Sequence, residues 1–478
     1  MNKSMIRYLL SKLLLIEAVL LLVPVAIAVY YRESSQVFTA LFSTIGILVL
    51  LGGSGSLQKP KNQRIYAKEG VLIVALCWIL WSFFGGLPFV FSGQIPSLID
   101  AFFEISSGFT TTGASILNDV SVLSRSLLFW RSFTHLIGGM GVLVFALAIM
   151  DNAKNSHLEV MKAEVPGPVF GKVVSKLKNT AQILYLLYLA LFSLFVIIYY
   201  LAGMPLYDSF VIAMGTAGTG GFTVYNDGIA HYGSSLITYL VSIGVLVFGV
   251  NFNLYYLMLR RIKAFFGDEE LRAYLVIVLV STGLISLNTL YLYPGFSKSF
   301  EMTFFQVSNI ITTTGFGYGD ITNWPLFSQF ILLFLMAIGG SAGSTAGGLK
   351  IIRGLILSKI AKNQILSILS PHRVLTLHVN QTVIDKDTQH KILKYFVIYA
   401  MILLALIFIV SLDSNDFLVV TSAVFSCFNN IGPILGTTSS FSIFSPISKI
   451  LLSFAMIAGR LEIYPILLLF MKRTWSKR

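Results

Sequence analysis

The chain has 478 residues, 56% of them hydrophobic and 12% charged, with a formal net charge of +13 and a mean hydropathy of +0.81. A soluble domain carries about twice that charged fraction, so a water-soluble fold is excluded and the recurring long apolar runs define an all-α polytopic membrane protein. Nucleic-acid binding is excluded by where the positive charge lies: it falls in alternate connectors, the positive-inside pattern that puts both termini in the cytoplasm.

The opening run, 8–31, follows Lys3 and Arg7 and contains Lys12. It is too long for a secretory h-region and lacks a small-residue cleavage site, so it reads as a retained span. Further spans are expected over 37–56, 69–92, 124–150, 179–202, 234–260, 272–295, 324–356, 391–412 and 446–471, each with the roughly 20 apolar residues that cross ~30 Å of hydrocarbon. The basic connectors fit ten crossings: Lys59, Lys61, Arg64 and Lys68 in the first, then Lys172, Lys176 and Lys178, Arg260, Arg261 and Lys263, Lys350, Arg353, Lys359, Lys362 and Arg373, and Lys472, Arg473, Lys477 and Arg478 at the end. Cys77 and Cys427 lie in apolar segments and read as buried small hydrophobes. The six histidines show no metal-ligand spacing, and no nucleophile–base pair suggests an enzyme or a covalently bound cofactor.

Four segments are left over between spans: 95–115, 205–223, 299–320 and 415–436. Each reads as a short helix followed by an extended polar strip, so the unit span, half-helix, strip, span recurs four times over 69–471. The expected organisation is an N-terminal two-span addition (1–68) and pore repeats at 69–178, 179–271, 272–390 and 391–478. The strips TTTGA (110–114), GTGGF (218–222), TTTGF (312–316) and NNIGP (429–433) share one glycine column, Gly113, Gly221, Gly315 and Gly432, separated by 108, 94 and 117 residues.

Non-helical backbone at membrane depth costs several kcal/mol per unpartnered group and survives only when buried or lining water. Each expected repeat holds an even number of crossings, so the four strips enter from one face and can surround a common axis. Rings of carbonyls replace the hydration shell of a monovalent cation, and half-helices ending at the strips turn negative dipole ends toward it. The expected filter residues are Thr111, Thr112 and Gly113; Thr219, Gly220 and Gly221; Thr313, Thr314 and Gly315; and Asn430, Ile431 and Gly432.

The four-strip plan resembles the Trk/Ktr/HKT superfamily of potassium transporters over nearly the whole chain, and the added N-terminal pair is most like the Trk branch. The resemblance implies potassium uptake at a bacterial inner membrane, a homodimer in the lipid bilayer, and a cytoplasmic nucleotide-binding ring of the TrkA type that docks on the basic connectors 151–178 and 357–390. The fourth strip departs from the threonine pattern at Asn430 and Ile431. A secondary cation symporter with alternating access, coupled to sodium or protons, is the alternative function.

Two further features belong to this expectation. Residues Gly339, Gly340, Ser341, Ala342, Gly343, Ser344, Thr345, Ala346, Gly347 and Gly348 hold five glycines within ten positions and should unwind the eighth span. Small-residue helix packing is the other reading, and the resemblance implies a gating loop. Arg460, near the middle of the last span, would hydrogen-bond that loop or pair with Glu462. Arg131 is expected to brace a half-helix and His135 to pack in the core. Asp100, Glu104, Asp119, Asp208, Asp227, Glu301, Asp320, Asp413 and Asp416 would form an acidic vestibule.

Overall fold

The computed structural model describes residues 1–63, 65–139, 141, 177–258, 262–319, 321–370, 375–380, 382–436 and 440–475. The first apolar run forms α1 (Lys3–Leu20) and α2 (Leu22–Tyr30), and the second forms α3 (Ser35–Ser56). Asn2 caps α1 by accepting the Met5 amide at 3.2 Å. Small residues let α3 lie close against α1: a methyl group at Gly52 would sit 2.8 Å from the Ser11 carbonyl oxygen, and one at Gly55 would overlap the Ser11 hydroxyl.

The rest of the chain follows one order four times: long helix, short helix, extended strip, helix. The first set is α4 (Ala67–Phe91), α5 (Leu98–Phe109) and α6 (Arg125–Gly139). The second is α7 (Leu177–Leu201), α8 (Leu206–Gly218), α9 (Ser235–Phe248) and α10 (Phe252–Met258), followed by the connector helix α11 (Ile262–Gly267). The third is α12 (Glu269–Asn288), α13 (Phe296–Ile311), α14 (Leu326–Ile338) and α15 (Ile351–Leu369). A small antiparallel hairpin, β1 (His378–Val379) with β2 (Thr382–Val383), leads to the fourth: α16 (Lys386–Val410), α17 (Phe417–Asn429), α18 (Pro446–Arg460) and α19 (Tyr464–Phe470), with α20 (Lys472–Trp475) at the end. Among the described residues six helices are long and apolar enough to cross a bilayer, or seven if the bent pair α9–α10 is one span.

The architecture is the expected all-α membrane type, but the helices that follow the second and fourth strips are broken where full spans were expected over 234–260 and 446–471, and the span over 324–356 is interrupted at its glycine run. Helices α9, α14 and α18 have 14, 13 and 15 residues, about 20–23 Å at 1.5 Å per residue, short of the hydrocarbon thickness. Helix α9 meets α10 at 89°. Helix α14 gives way to irregular backbone over 339–350, and α18 ends at Arg460, beyond which Glu462 and Ile463 take φ of 57° and 69°. Residue 140 and residues 142–150, the last third of the predicted fourth span, lie outside the described residues.

A broken helix leaves carbonyls without intrahelical partners, and neighbouring elements supply them. The Tyr188 hydroxyl donates to the Leu136 carbonyl of α6 at 2.9 Å, and the Tyr274 hydroxyl to the Leu246 carbonyl of α9 at 3.1 Å. At the end of α14 the returning chain does the same, with Lys350 N donating to Ile338 O at 2.8 Å.

Candidate functional site

The four short helices end alike. In each the last turn is followed by a residue in the left-handed region: Thr111 (φ 56°), Thr219 (54°), Thr313 (55°) and Asn430 (58°). The next amide reaches back five residues: Thr112 N to Ser107 O at 2.8 Å, Gly220 N to Gly215 O at 2.8 Å, Thr314 N to Asn309 O at 2.8 Å, and Ile431 N to Ser426 O at 2.9 Å. This is a Schellman ending, which satisfies orphan carbonyls and turns the chain sharply out of the helix. Glycine is the usual occupant; a β-branched threonine held there is strained by roughly 1–3 kcal/mol. Asparagine tolerates this region better, so the fourth strip, divergent in sequence, keeps the backbone of the others.

Two positions on comes the glycine column. Gly113, Gly315 and Gly432 have positive φ (80°, 72° and 111°); Gly221 does not. What unites all four is contact. A methyl group on Gly113 would lie 2.6 Å from Gly221 N, and one on Gly221 would lie 2.5 Å from the carbonyl oxygens of Thr314 and Gly315. On Gly315 it would overlap the Ile431 carbonyl oxygen, and on Gly432 it would lie 2.7 Å from Thr112 O. The order 113 to 221 to 315 to 432 and back to 113 is a closed cycle. The structure therefore brings all twelve predicted strip residues together, with the Thr, Asn and Ile side chains buried.

Side chains lock the strips. The Thr110 and Thr112 hydroxyls lie 2.7 Å apart, and those of Thr312 and Thr314 2.8 Å apart. Asn430 Nδ2 bridges the fourth strip to the first, donating to Thr112 Oγ1 at 3.0 Å and to the Met456 carbonyl at 2.9 Å. Glu104, fully buried in α5, accepts from Arg131 Nε at 2.5 Å, the Ser115 hydroxyl at 2.9 Å and Ile116 N at 2.9 Å. The Arg131 guanidinium also lies 3.4 Å from the ring centre of Phe222, just after the second strip. His135 Nδ1 pairs with the Gly108 carbonyl at 2.7 Å while its ring stacks on Phe222.

The acidic residues are mostly engaged rather than open. Besides Glu104, Asp208 and Glu301 are buried. Glu301 accepts from Lys298 at 2.8 Å and from Ser235 at 2.8 Å, Asp100 pairs with Lys449 at 2.7 Å, and Asp416 caps α17. Hydrogen bonds from the Asn226 side chain, then from the Ser121 amide and hydroxyl, hold the Asp119 carboxyl below its ordinary range. Asp320 lies outside the described residues.

The glycine loop is packed against two strips. Gly347 N donates to Thr313 Oγ1 at 2.7 Å, and a methyl group on Gly347 would overlap the Asn429 carbonyl oxygen and lie 3.1 Å from Asn430 Cβ. Entry and exit are pinched together: a Cβ on Gly348 would be 2.7 Å from Gly339 Cα. Ser341 N donates to Gly249 O at 3.1 Å, and Thr345 Oγ1 to Phe248 O at 3.2 Å, fixing the loop to the α9–α10 bend. Gly340, Ala342, Ser344 and Ala346 are buried along it, and Gly343 takes φ 70° beside Asn251. Arg460 Nη1 donates to the Thr345 carbonyl at 2.6 Å, and its Nη2 to the carbonyls of Gly138 and Gly139 at 2.6 Å each. Glu462, the other expected partner of Arg460, pairs with Arg353 at 2.6 Å.

Two functional-site residues escaped sequence reasoning. Lys350, buried at the loop exit with φ 77°, donates its ammonium to the Ala346 carbonyl; its sequence neighbours had placed it among solvated basic residues. Glu270, one of two consecutive glutamates that look like a helix-start signal, is buried against the loop.

A helical membrane protein with four strips converging at one point has the make-up of a transport protein. The sequence model of the TrkH family, described as "Cation transport protein", matches residues 34–477, and the chain belongs to that family. Among its relatives, the Trk system potassium uptake protein TrkG of Escherichia coli is 32% identical over 464 residues, covering 95% of each chain. The Trk system potassium uptake protein TrkH of Salmonella typhimurium is 32% identical over 470 residues, covering 96% of each. The fold is similar to the crystal structure of the potassium transporter TrkH from Vibrio parahaemolyticus, with a TM-score of 0.90, 29% identity and full coverage of both chains.

Proposed function

We propose that the chain takes up potassium across the bacterial inner membrane along the axis enclosed by the four strips. The observation that supports this most is the closed cycle of Gly113, Gly221, Gly315 and Gly432, each within a methyl group's reach of the next strip's backbone. Four strips in that arrangement can offer the backbone oxygens of Thr111, Thr112, Thr219, Gly220, Thr313, Thr314, Asn430 and Ile431 as successive rings to a dehydrated cation. The four Schellman endings direct the negative ends of four helix dipoles to the same place. Side chains contribute little to such a site; the backbone carries it.

In this reading residues 1–68 are an added pair of spans and the four pore repeats occupy 69–178, 179–271, 272–390 and 391–478. The loop 339–348 and Arg460 form a gate below the strips. The loop is anchored to Thr313 and to Arg460, and the arginine adds a positive charge that a departing cation meets. Opening requires Gly347 to leave the Thr313 hydroxyl and Thr345 to leave Arg460. The chain works as a homodimer with both termini in the cytoplasm, and a nucleotide-binding ring of the TrkA type docks on the basic connectors and controls opening.

The test is ion flux in proteoliposomes holding the purified protein. Potassium uptake exceeding sodium uptake, and abolished by Gly315→Ala in a protein that still folds, is the expected result. Equal fluxes of both ions, or full activity in the alanine variant, would overturn the reading.

A further inference from the structure

We propose that Glu270 is a positioning residue that ties the glycine loop to the hairpin at 378–383, so that displacement of the hairpin is delivered to the loop. This rests on the reading of the loop as a gate and goes beyond it by naming the connection through which it is moved.

Glu270 sits in the first turn of α12 and is 5% exposed. Its Oε1 accepts two amides from opposite ends of the broken segment: Ala342 N, inside the loop, at 2.7 Å, and Ile352 N, just past its exit, at 3.2 Å. One oxygen thus holds both arms of the loop.

The two residues before Glu270 face the other way. Asp268 Oδ2 accepts from Asn380 Nδ2 at 2.6 Å, Asn380 Oδ1 accepts from Glu269 N at 2.8 Å, and Asn380 N donates to Glu269 Oε1 at 3.1 Å. Asn380 follows β1 and has a left-handed φ of 49°. Lys359 of α15 pairs with Glu269 and donates to the His378 carbonyl at 2.8 Å. Three consecutive acidic residues are therefore divided, two on the hairpin and one on the loop, and the rigid first turn of α12 joins them.

An independent apolar link runs beside the polar one. Ala342 of the loop shares a small buried cluster with Ile352 and Ile356 of α15, Leu377, Val379 and Ile384 around the hairpin, and Ile392 of α16. The hairpin cannot shift without disturbing either Ala342 or the α12 turn. Its outer face includes Val383, 57% exposed, which leaves a surface from which it can be moved.

The experiment compares potassium and sodium flux in proteoliposomes for wild type, Glu270→Ala, Glu270→Gln, Asn380→Ala and a chain whose residues 339–348 are all alanine. Losing a hydrogen bond to a buried charged group in the closed state corresponds to roughly a tenfold change in equilibrium. Glu270→Ala should raise basal potassium flux about tenfold with the potassium-to-sodium ratio unchanged, which a collapsed pore would not preserve. Glu270→Gln keeps an oxygen acceptor in place, folds as an isostere, and should stay near wild type. Asn380→Ala should raise flux about two- to threefold. If the polyalanine loop raises flux but Glu270→Ala does not, the positioning role is overturned while the gate stands. If Glu270→Gln matches Glu270→Ala, charge rather than hydrogen bonding is at work and the role is overturned. If Glu270→Ala raises flux and Asn380→Ala does not, the hairpin connection is overturned. If the polyalanine loop leaves flux unchanged, the gate itself is lost.

Discussion

The four strips and the helix breaks beyond them solve related problems in different ways. The strips have three different sequences, TTTG (twice), GTGG and NNIG, yet leave the helix alike: a left-handed residue, a reach of five residues back into the helix, and a column glycine two positions on. The breaks all follow glycine-containing stretches, yet no two described ones are alike: an 89° bend, a long loop, and a kink over Glu462 and Ile463. Across the strips side chains vary while the turn out of the helix is held. The breaks differ in shape but share anchors, since Arg460 holds both Thr345 and the end of α6 and the loop is bonded to the α9–α10 bend.

The largest test of that contrast adds a single carbon to a strip. Gly315→Ala places a methyl group onto the Ile431 carbonyl at a positive φ, and potassium flux in proteoliposomes should fall at least a hundredfold. Gly317→Ala, two residues on, meets nothing nearer than Gly228 Cα at 4.0 Å and should stay within about twofold. Equal losses would show that flexibility rather than contact governs the strips.

Next comes the buried pair that supports the first strip. Arg131→Met leaves Glu104 charged and without its cation, and breaking a buried pair costs about 3–5 kcal/mol, so thermal unfolding in detergent should drop sharply. At the breaks, Arg460→Gln removes a charge and part of the carbonyl anchoring; if the gate reading holds, basal flux should rise about tenfold with selectivity intact. Tyr274→Phe removes one hydrogen bond to the Leu246 carbonyl and should cost about 1 kcal/mol, read as a small downward shift of the unfolding midpoint.

The smallest effect concerns Asp119. Its folded value lies below the unfolded one, so its contribution is present above about pH 4 and is lost as pH falls through the folded value. The stability gap between wild type and Asp119→Ala should be small at pH 7, because the carboxylate is exposed, and should vanish at low pH.

The helical class and the strips were legible because composition, alternating basic connectors and a glycine repeated in four like contexts are local signals that reinforce one another. Residues Gly339–Gly348 were legible for the same reason, since so many glycines cannot continue a helix. The breaks after α9 and α18 were not, because a single glycine in an apolar run, Gly249 or Gly459, reads equally as packing or as a bend. Ile463 at φ 69° is contrary to what a β-branched residue prefers; burial of its side chain and a bond from its amide to the Ala458 carbonyl at 2.7 Å accompany it. Glu104 looked like a vestibule residue because nothing near it in sequence announces Arg131, 27 positions away. Glu270 was hidden by its place in an ordinary helix start.

Several of the contacts that finish the helix ends and close the ring come from chain made later. Leu136 waits for Tyr188, Leu246 waits for Tyr274, and the first strip's Thr112 waits for Asn430. During synthesis the nascent protein therefore stays incomplete from its earliest strip to its last, and a chain released between residues 315 and 432 has three sides of the enclosure and no fourth.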